Sequence, residues 1–311
     1  MTDCRNPILP PSSQQAFDRY EAVRQRFPLL EPMKTVGPRQ AASLEELTEL
    51  YDVFVFDAYG VLNVGNEPIV GAKERIDALR AAGKRLFVLT NAASFTFPKV
   101  VEKFQRLGFS FRDEELISSR MICDEVLTSE DPDLFWGVVG PSWFSPEELP
   151  VRCLQLKEDP DDYDRVDAIL YLSTESWTAE RHDLLATSLS KRPRRIIVGN
   201  PDLVAPIEGC FSVEPGWRVH DLMDRIAGLD VTFIGKPFGA VYDALEARLP
   251  AGFVRDRIVM MGDSLHTDVY GARARGWASV LVSDHGFLKG EDPFEAIEKS
   301  GLVPDWIVPQ I

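Results

Sequence analysis

The chain has 311 residues, 45% of them apolar and 27% charged, which bounds it to one elaborated globular domain or two. Lys and Arg number 34 against 49 Asp and Glu, a formal charge of −15 with a pI near 4.8, so neither nucleic acid nor an anionic membrane is expected as the main partner. No run approaches the roughly 18 consecutive apolar residues of a membrane span. The start, "MTDCRNPILPPSSQQ", lacks the apolar segment of a signal peptide, and Cys4, Cys123, Cys153 and Cys210 form no C-x-x-C pair. A reducing, cytoplasmic setting without zinc is the expectation.

Residues 1–45 read as an N-terminal extension with helix signals in "QQAFDRYEAVRQRF" and, running past it, "SLEELTELY". The apolar runs "VFVF", "RLFVLT" and "FWGVVG" then alternate with the helix-like stretches "AKERIDALRAAG" and "FPKVVEKFQRLG". Strand and helix in alternation predict parallel strands joined by crossover helices, and Gly83 and Gly108 are helix-stop signals. The prolines and acids of "SPEELPVRCLQLKEDPDDYDR" read as a junction. A second α/β unit follows in "VDAILYLS", "TAERHDLLATSLS" and "RRIIVGNPD", closed by the Gly/Pro-rich "EGCFSVEPGWR". The rhythm resumes with "VTFIG", "AVYDALEARL", "RIVMMG", "HTDVYGARARG" and "ASVLVS". The expected fold class is α/β: a doubly wound parallel-sheet core, residues 46–142 and 231–311, interrupted by a smaller inserted α/β cap, residues 143–230.

In an open parallel sheet, ligands gather outside the carboxyl ends of the strands. Those ends carry Asp57 after "VFVF", Thr90 and Asn91 after "RLFVL", Lys236 after "VTFIG" and Asp263 after "RIVMMG". A transferring phosphoryl group concentrates negative charge on its oxygens, so its catalysts are positioned cations and hydrogen-bond donors. Two carboxylates at neighbouring strand ends can hold Mg²⁺, Lys236 brings a point charge, Thr90 a hydroxyl, and Asn91 a backbone or side-chain N–H. Asp57 can attack phosphorus. Singly, each residue has a plainer reading: a strand-end Asp caps or turns the chain, Lys236 is a solvated lysine, and Asp268 favours a helix start through the dipole. Their arrival in order at four strand ends is what points to chemistry. "IGKP" is no phosphate-binding P-loop, and "GDSLH" lacks the last glycine of a serine nucleophile elbow. Of His182, His220, His266 and His285, only His266 lies near the expected site.

"VFDAYGVL", "VLTNAAS", "IGKPFGAVYDAL" and "VMMGDSLHTDVYGARARG" resemble, in order, the four motifs of the haloacid dehalogenase-like superfamily. The last two together with "GNPD" are most similar to its NagD and p-nitrophenylphosphatase-like branch. The resemblance spans about residues 50–290 and leaves the N-terminal extension outside it. It implies a hydrolase that uses Mg²⁺ and acts on a small phosphorylated metabolite, with homo-oligomerisation left open. It further implies Asp57 as nucleophile and metal ligand, the Tyr59 carbonyl as another ligand, and Asp263 completing the metal site with Asp268 as ligand or orienter. Thr90, Asn91, Gly60 and Lys236 would bind the phosphoryl group, and Asn200 and Asp202 would lie at the cap hinge or in the specificity site.

Tyr59 departs from the pattern. Phosphatases of the superfamily usually carry Asp two places after the nucleophile as general acid and base. A phenol of ordinary pKa near 10 replaces a step worth about 10²–10⁴ in rate. Haloacid dehalogenases of the superfamily show Tyr there, because a halide leaves unprotonated, and they need no Mg²⁺. Retention of both acids in "GDSLHTD" favours phosphoryl chemistry. The alternatives are 2-haloacid dehalogenation, or a phosphate-ligand-binding protein with little turnover.

Overall fold

The computed structural model describes residues 11–30, 37–207 and 210–311; Cys4 and the first two residues of the "EGCFSVEPGWR" tract lie outside them. Two compact units emerge. One comprises residues 20–90, 98–117 and 236–311, and the other the N-terminal stretch to Arg19, residues 91–97 and residues 118–235.

The first unit is built on a seven-stranded sheet in the order Arg39–Gln40, Trp306–Val308, Ala278–Val282, Ile258–Gly262, Val53–Phe56, Arg85–Thr90 and Leu116–Ser118. Its central pairings are parallel, with Val55 opposite Met260 on one side and Phe87 on the other. Every residue of Val53–Phe56 and Ile258–Gly262 is buried. That is why these strands read as continuous apolar runs, the pattern of a parallel sheet covered on both faces. The helices Ala72–Ala81, Phe97–Arg106 and Pro293–Ser300 belong to the covering layers. The last starts on an Asp292 cap whose carboxylate accepts the Phe294 N–H at 2.8 Å.

The second unit is a five-stranded parallel sheet in the order Val231–Phe233, Ile196–Val198, Ala168–Tyr171, Trp136–Val139 and Cys153–Gln155. The helices Ser119–Thr128, Ala179–Lys191 and Pro215–Arg225 accompany it. Beside it lies an antiparallel ribbon of Val204–Ile207 and Cys210–Val213.

The expected α/β class, a doubly wound parallel sheet with a smaller α/β cap, describes both units, but its boundaries shift. Trp136–Val139 and Val231–Phe233, assigned by their rhythm to the core segments, pair inside the five-stranded sheet. The supposed junction supplies its edge strand, Cys153–Gln155. A doubly buried strand has the same apolar signature in whichever sheet it joins, so composition could not choose between the two. The larger sheet instead takes Leu116–Ser118 at one edge and, from the N-terminal extension, Arg39–Gln40 at the other. "QQAFDRYEAVRQRF" forms the helix Ser13–Val23 and a 3₁₀ turn, Arg24–Arg26, whereas "SLEELTELY" makes only the 3₁₀ turn Leu44–Leu47. Among the described residues no helix is long and apolar enough to cross a membrane, and Cys123 and Cys153 are free thiols.

Met260 is fully buried between Val55 and Ser279 in the sheet centre. Met260→Ala is expected to lower unfolding free energy by about 2–5 kcal/mol in urea denaturation with an unchanged slope; a loss within 0.5 kcal/mol, the range of surface substitutions, would show that the sheet centre collapses around the cavity.

Candidate active site

The strand order places a crevice between Val53–Phe56 and Ile258–Gly262. From Val53–Phe56 the next strands in the chain run outward on one side, and from Ile258–Gly262 they run outward on the other. That reversal is the switch point at which doubly wound sheets bind ligands. Asp57 and Asp263 are the residues immediately after these two strands. The Asp57 N–H donates to the Met261 carbonyl at 2.8 Å, so the ladder continues to the carboxylate itself. Asp57, Asp263 and Asp268 each place a carboxylate oxygen within 4.8 Å of the others.

Lys236 is the counter-charge. Its Nζ lies 2.7 Å from Asp57 Oδ1 and 2.7 Å from Asp268 Oδ1, and its side chain is 2% exposed. A lysine read singly as solvated is thus the buried cation of the cluster. Asp268, on the π-helical turn Leu265–Val269, spends its second oxygen on the Ser264 N–H at 3.2 Å. Asp263 accepts the Phe287 N–H at 2.8 Å. Close backbone approach makes this packing possible. Gly60 has φ +75°, and a Cβ there would fall 2.6 Å from Asp263 Oδ2; Gly286, with φ +79°, would press a Cβ into the same carboxylate.

Three acids share one ammonium, and two of them, Asp263 and Asp268, keep their protons to higher pH than ordinary carboxyls. Burial, then the charges of Asp57 and Asp268, hold the Asp263 carboxyl well above the usual carboxylate range. Burial pushes Asp268 up to about 6 against the pull of Lys236. Converging oxygens with too little positive charge are the donor set of a hard divalent cation, and the residues present fit Mg²⁺.

Tyr59 lies on the turn after Asp57, where the Gly60 N–H donates to Asn63 and the Leu62 and Asn63 N–H groups to Ala58. Its phenol is half-buried. Burial raises its pKa above that of ordinary tyrosine, a hydrogen bond with the Gly65 backbone partly offsets this, and the Asp263 charge adds to the rise. A phenol so placed keeps its proton at neutral pH.

Thr90, 8% exposed, ends the strand beside Val53–Phe56. Asn91, Asn200 and Asp202 assemble in the other unit. Asn91 Nδ2 donates to Asp202 Oδ1 at 2.8 Å, and Asn91 Oδ1 accepts from Ser119 Oγ at 3.4 Å. The Asp202 N–H donates to Asn200 Oδ1 at 3.0 Å, and Asn200 Nδ2 to Glu214 at 3.1 Å. The Asn91 side chain is therefore engaged at both ends.

Two features escaped the sequence. Lys103, on the helix Phe97–Arg106, is largely desolvated, which lowers its pKa, while the Asp57 charge pulls it back up. Reading strand ends alone could not find a helix lysine. His266 pairs through Nε2 with Glu21 at 2.7 Å and stacks on Tyr20, rings 4.8 Å apart. Both partners belong to the N-terminal extension.

Residues 54–147 match a family model described as haloacid dehalogenase-like hydrolase, and residues 233–311 one described as HAD-hydrolase-like. The chain is 26% identical over 312 residues to a glycerol-3-phosphate phosphatase of Gallus gallus, covering 90% of this chain and 97% of that one. A possible sugar phosphatase of Cytophaga hutchinsonii superposes with a TM-score of 0.75 at 25% identity, covering 88% and 98%. The p-nitrophenyl phosphatase of Archaeoglobus fulgidus superposes at 0.70 with 21% identity, covering 84% and 96%. The chain belongs to the haloacid dehalogenase-like hydrolases, as the order of its four motifs implied. In fold it is also similar to NagD of E. coli, which superposes with a TM-score of 0.62 at 22% identity, covering 84% of this chain and 96% of that one.

The raised acids predict how a divalent cation should act. A carboxyl whose folded pKa exceeds its unfolded value favours the fold at low pH, and that contribution is lost as pH rises through the folded value, about 6 for Asp268. A cation that replaces those protons binds better as pH rises. Mg²⁺ is expected to raise the melting temperature by several degrees at pH 8 and far less at pH 5, measured by scanning fluorimetry against EDTA; equal shifts at both would show that it does not compete with these protons.

Proposed function

We propose that the chain is a Mg²⁺-dependent phosphatase of small phosphorylated metabolites that works through an aspartyl-phosphate on Asp57. The observation that carries this reading is Lys236, buried at 2.7 Å from both Asp57 and Asp268 beside three convergent carboxylates. That charge balance suits an incoming dianion accompanied by a divalent cation. The phosphatase activity named for the Gallus gallus relative supports the substrate class.

Asp57 attacks phosphorus, a bond from its carboxylate oxygen forms, and the ester P–O bond breaks with the electron pair leaving on the alkoxide. Lys236 holds Asp57 and neutralises phosphoryl oxygens, and Thr90 donates its hydroxyl to one of them. Asp57, Asp263 and the Tyr59 carbonyl would hold Mg²⁺, which supplies further neutralisation of the phosphoryl charge when bound. Asp268 would join them as a further ligand or orient them, and it also anchors Lys236. Asn200 and Asp202 act at one remove, through the hydrogen-bonded chain that fixes Asn91. Water then cleaves the aspartyl-phosphate.

The proton steps are the weak part of the cycle. Tyr59 offers the leaving oxygen only a poorly acidic phenol, with a pKa raised further by burial, and it is no base toward water. Turnover should therefore favour esters whose leaving group needs little help. Dehalogenation would escape this handicap, but it has no use for the buried pair of Asp263 and Asp268.

Phosphate release from p-nitrophenyl phosphate is expected with Mg²⁺, to vanish with EDTA and to vanish in Asp57→Asn. Halide release from a 2-haloacid without metal would instead identify a dehalogenase, and tight phosphate-ester binding with neither reaction would identify a sensor. Tyr59→Asp is expected to speed hydrolysis of glycerol phosphates by about 10²-fold and p-nitrophenyl phosphate much less; equal gains on the two substrates would refute the missing-acid account.

A further inference from the structure

The helix Ser13–Val23 precedes the region that either family model matches, yet its last turn packs on His266 and Phe287, neighbours of the acids. Tyr20 is 2% exposed. Its ring lies flat on His266 at 4.8 Å and 10°, and meets the edge of Phe287 at 6.0 Å and 86°. Glu21 Oε1 lies 2.7 Å from His266 Nε2, and Arg24 holds Glu21 from behind at 3.2 Å. Arg24 also donates to the Ser300 carbonyl, and its guanidinium sits over the Tyr270 ring. Phe27 packs edge-on against Tyr270 at 5.4 Å, while the Tyr270 hydroxyl donates to the Pro28 carbonyl at 2.7 Å.

The two partners of Tyr20 and Glu21 lie close to the acids, one through the chain and one through a hydrogen bond. His266 stands two residues before Asp268 on the turn Leu265–Val269, and the Phe287 N–H is the donor to Asp263. A π-helical turn is an unfavoured backbone form that persists where packing holds it, frequently at functional sites. Here aromatic stacking by Tyr20 and the Glu21–His266 hydrogen bond, both from outside the catalytic motifs, clasp that turn.

We propose that Tyr20 and Glu21 are positioning residues for the metal site: acting through His266 and Phe287, they hold Asp263 and Asp268 at the spacing that binds a divalent cation. This rests on the Mg²⁺ reading above. The N-terminal segment is then a working part of the active site, although it contributes no atom to it. Groups that orient metal ligands typically govern affinity by about 10–100-fold.

The test is calorimetric titration of Mg²⁺ into the metal-free full chain. Tyr20→Ala and Glu21→Ala are each expected to weaken Mg²⁺ about 10-fold or more, while Tyr20→Phe, which keeps the stacked ring, stays near wild type. At saturating Mg²⁺ the KM for p-nitrophenyl phosphate should be unchanged. Leu29→Ala, on the 97% exposed side chain of the same segment, should alter nothing. Glu21 is partly exposed, so its removal tests the inference even if Tyr20→Ala does not fold. Variants that melt earlier but bind Mg²⁺ as wild type does would overturn the positioning role and leave a merely structural one. Failure of the wild type itself to bind Mg²⁺ would overturn the metal reading, and this inference with it.

Discussion

A single buried ammonium organises this protein. Lys236 faces Asp57 and Asp268 at equal distance, and without it three carboxylates would meet in a site from which water is largely excluded. Breaking a buried ion pair on one side costs about 3–5 kcal/mol, because the stranded charge has no other partner. The cluster is under-compensated even so, since one cation serves three acids; burial first, and the neighbouring acids after it, raise the pKa values of Asp263 and Asp268. Such a site is made to receive positive charge, and the sheet around it supplies the rigidity. Asp57 is fixed by a hydrogen bond that continues the ladder to the adjacent strand, and Asp263 and Asp268 each by a backbone N–H.

Against that electrostatic economy, Tyr59 separates two tasks that a carboxyl at its position would combine. In the proposed mechanism, charge stabilisation and nucleophilic attack fall to Lys236, Asp57, Asp263 and Asp268, which the fold brings together. Proton delivery needs a group that titrates near neutrality, and the half-buried phenol, tied to the Gly65 backbone, does not. A site of this kind selects its substrates partly by leaving-group basicity, a discrimination that requires no contact with the leaving group at all.

The larger features were legible because they are periodic or local. Val53–Phe56 and Ile258–Gly262 are uninterrupted apolar runs, and reading the residue after each one led directly to Asp57 and Asp263. Sheet membership was not legible. Trp136–Val139 and Val231–Phe233 look like core strands but lie in the smaller sheet, since burial on both faces says nothing about the neighbour. Long-range polar pairing was equally hidden. Nothing in "GDSLHTD" announces that His266 is held by Glu21 and Tyr20, or that Lys236 is buried rather than solvated. Those outcomes depend on elements far apart in the chain, where spacing carries no information.

That distance also governs when the protein can become an enzyme. Val53 pairs with Ile258, and Arg39 with Trp306, so the larger sheet closes the beginning of the chain against its end. Long-range pairings of this kind are slow to form, and they cannot begin before both partners exist. During synthesis the strand carrying Asp57 emerges early and must wait while the entire five-stranded sheet is made, with its apolar edge lacking the neighbour that will bear Asp263. The ribosome thus delivers Asp57, the proposed nucleophile, long before Asp263 and Asp268, and the three carboxylates can converge only once that later segment exists.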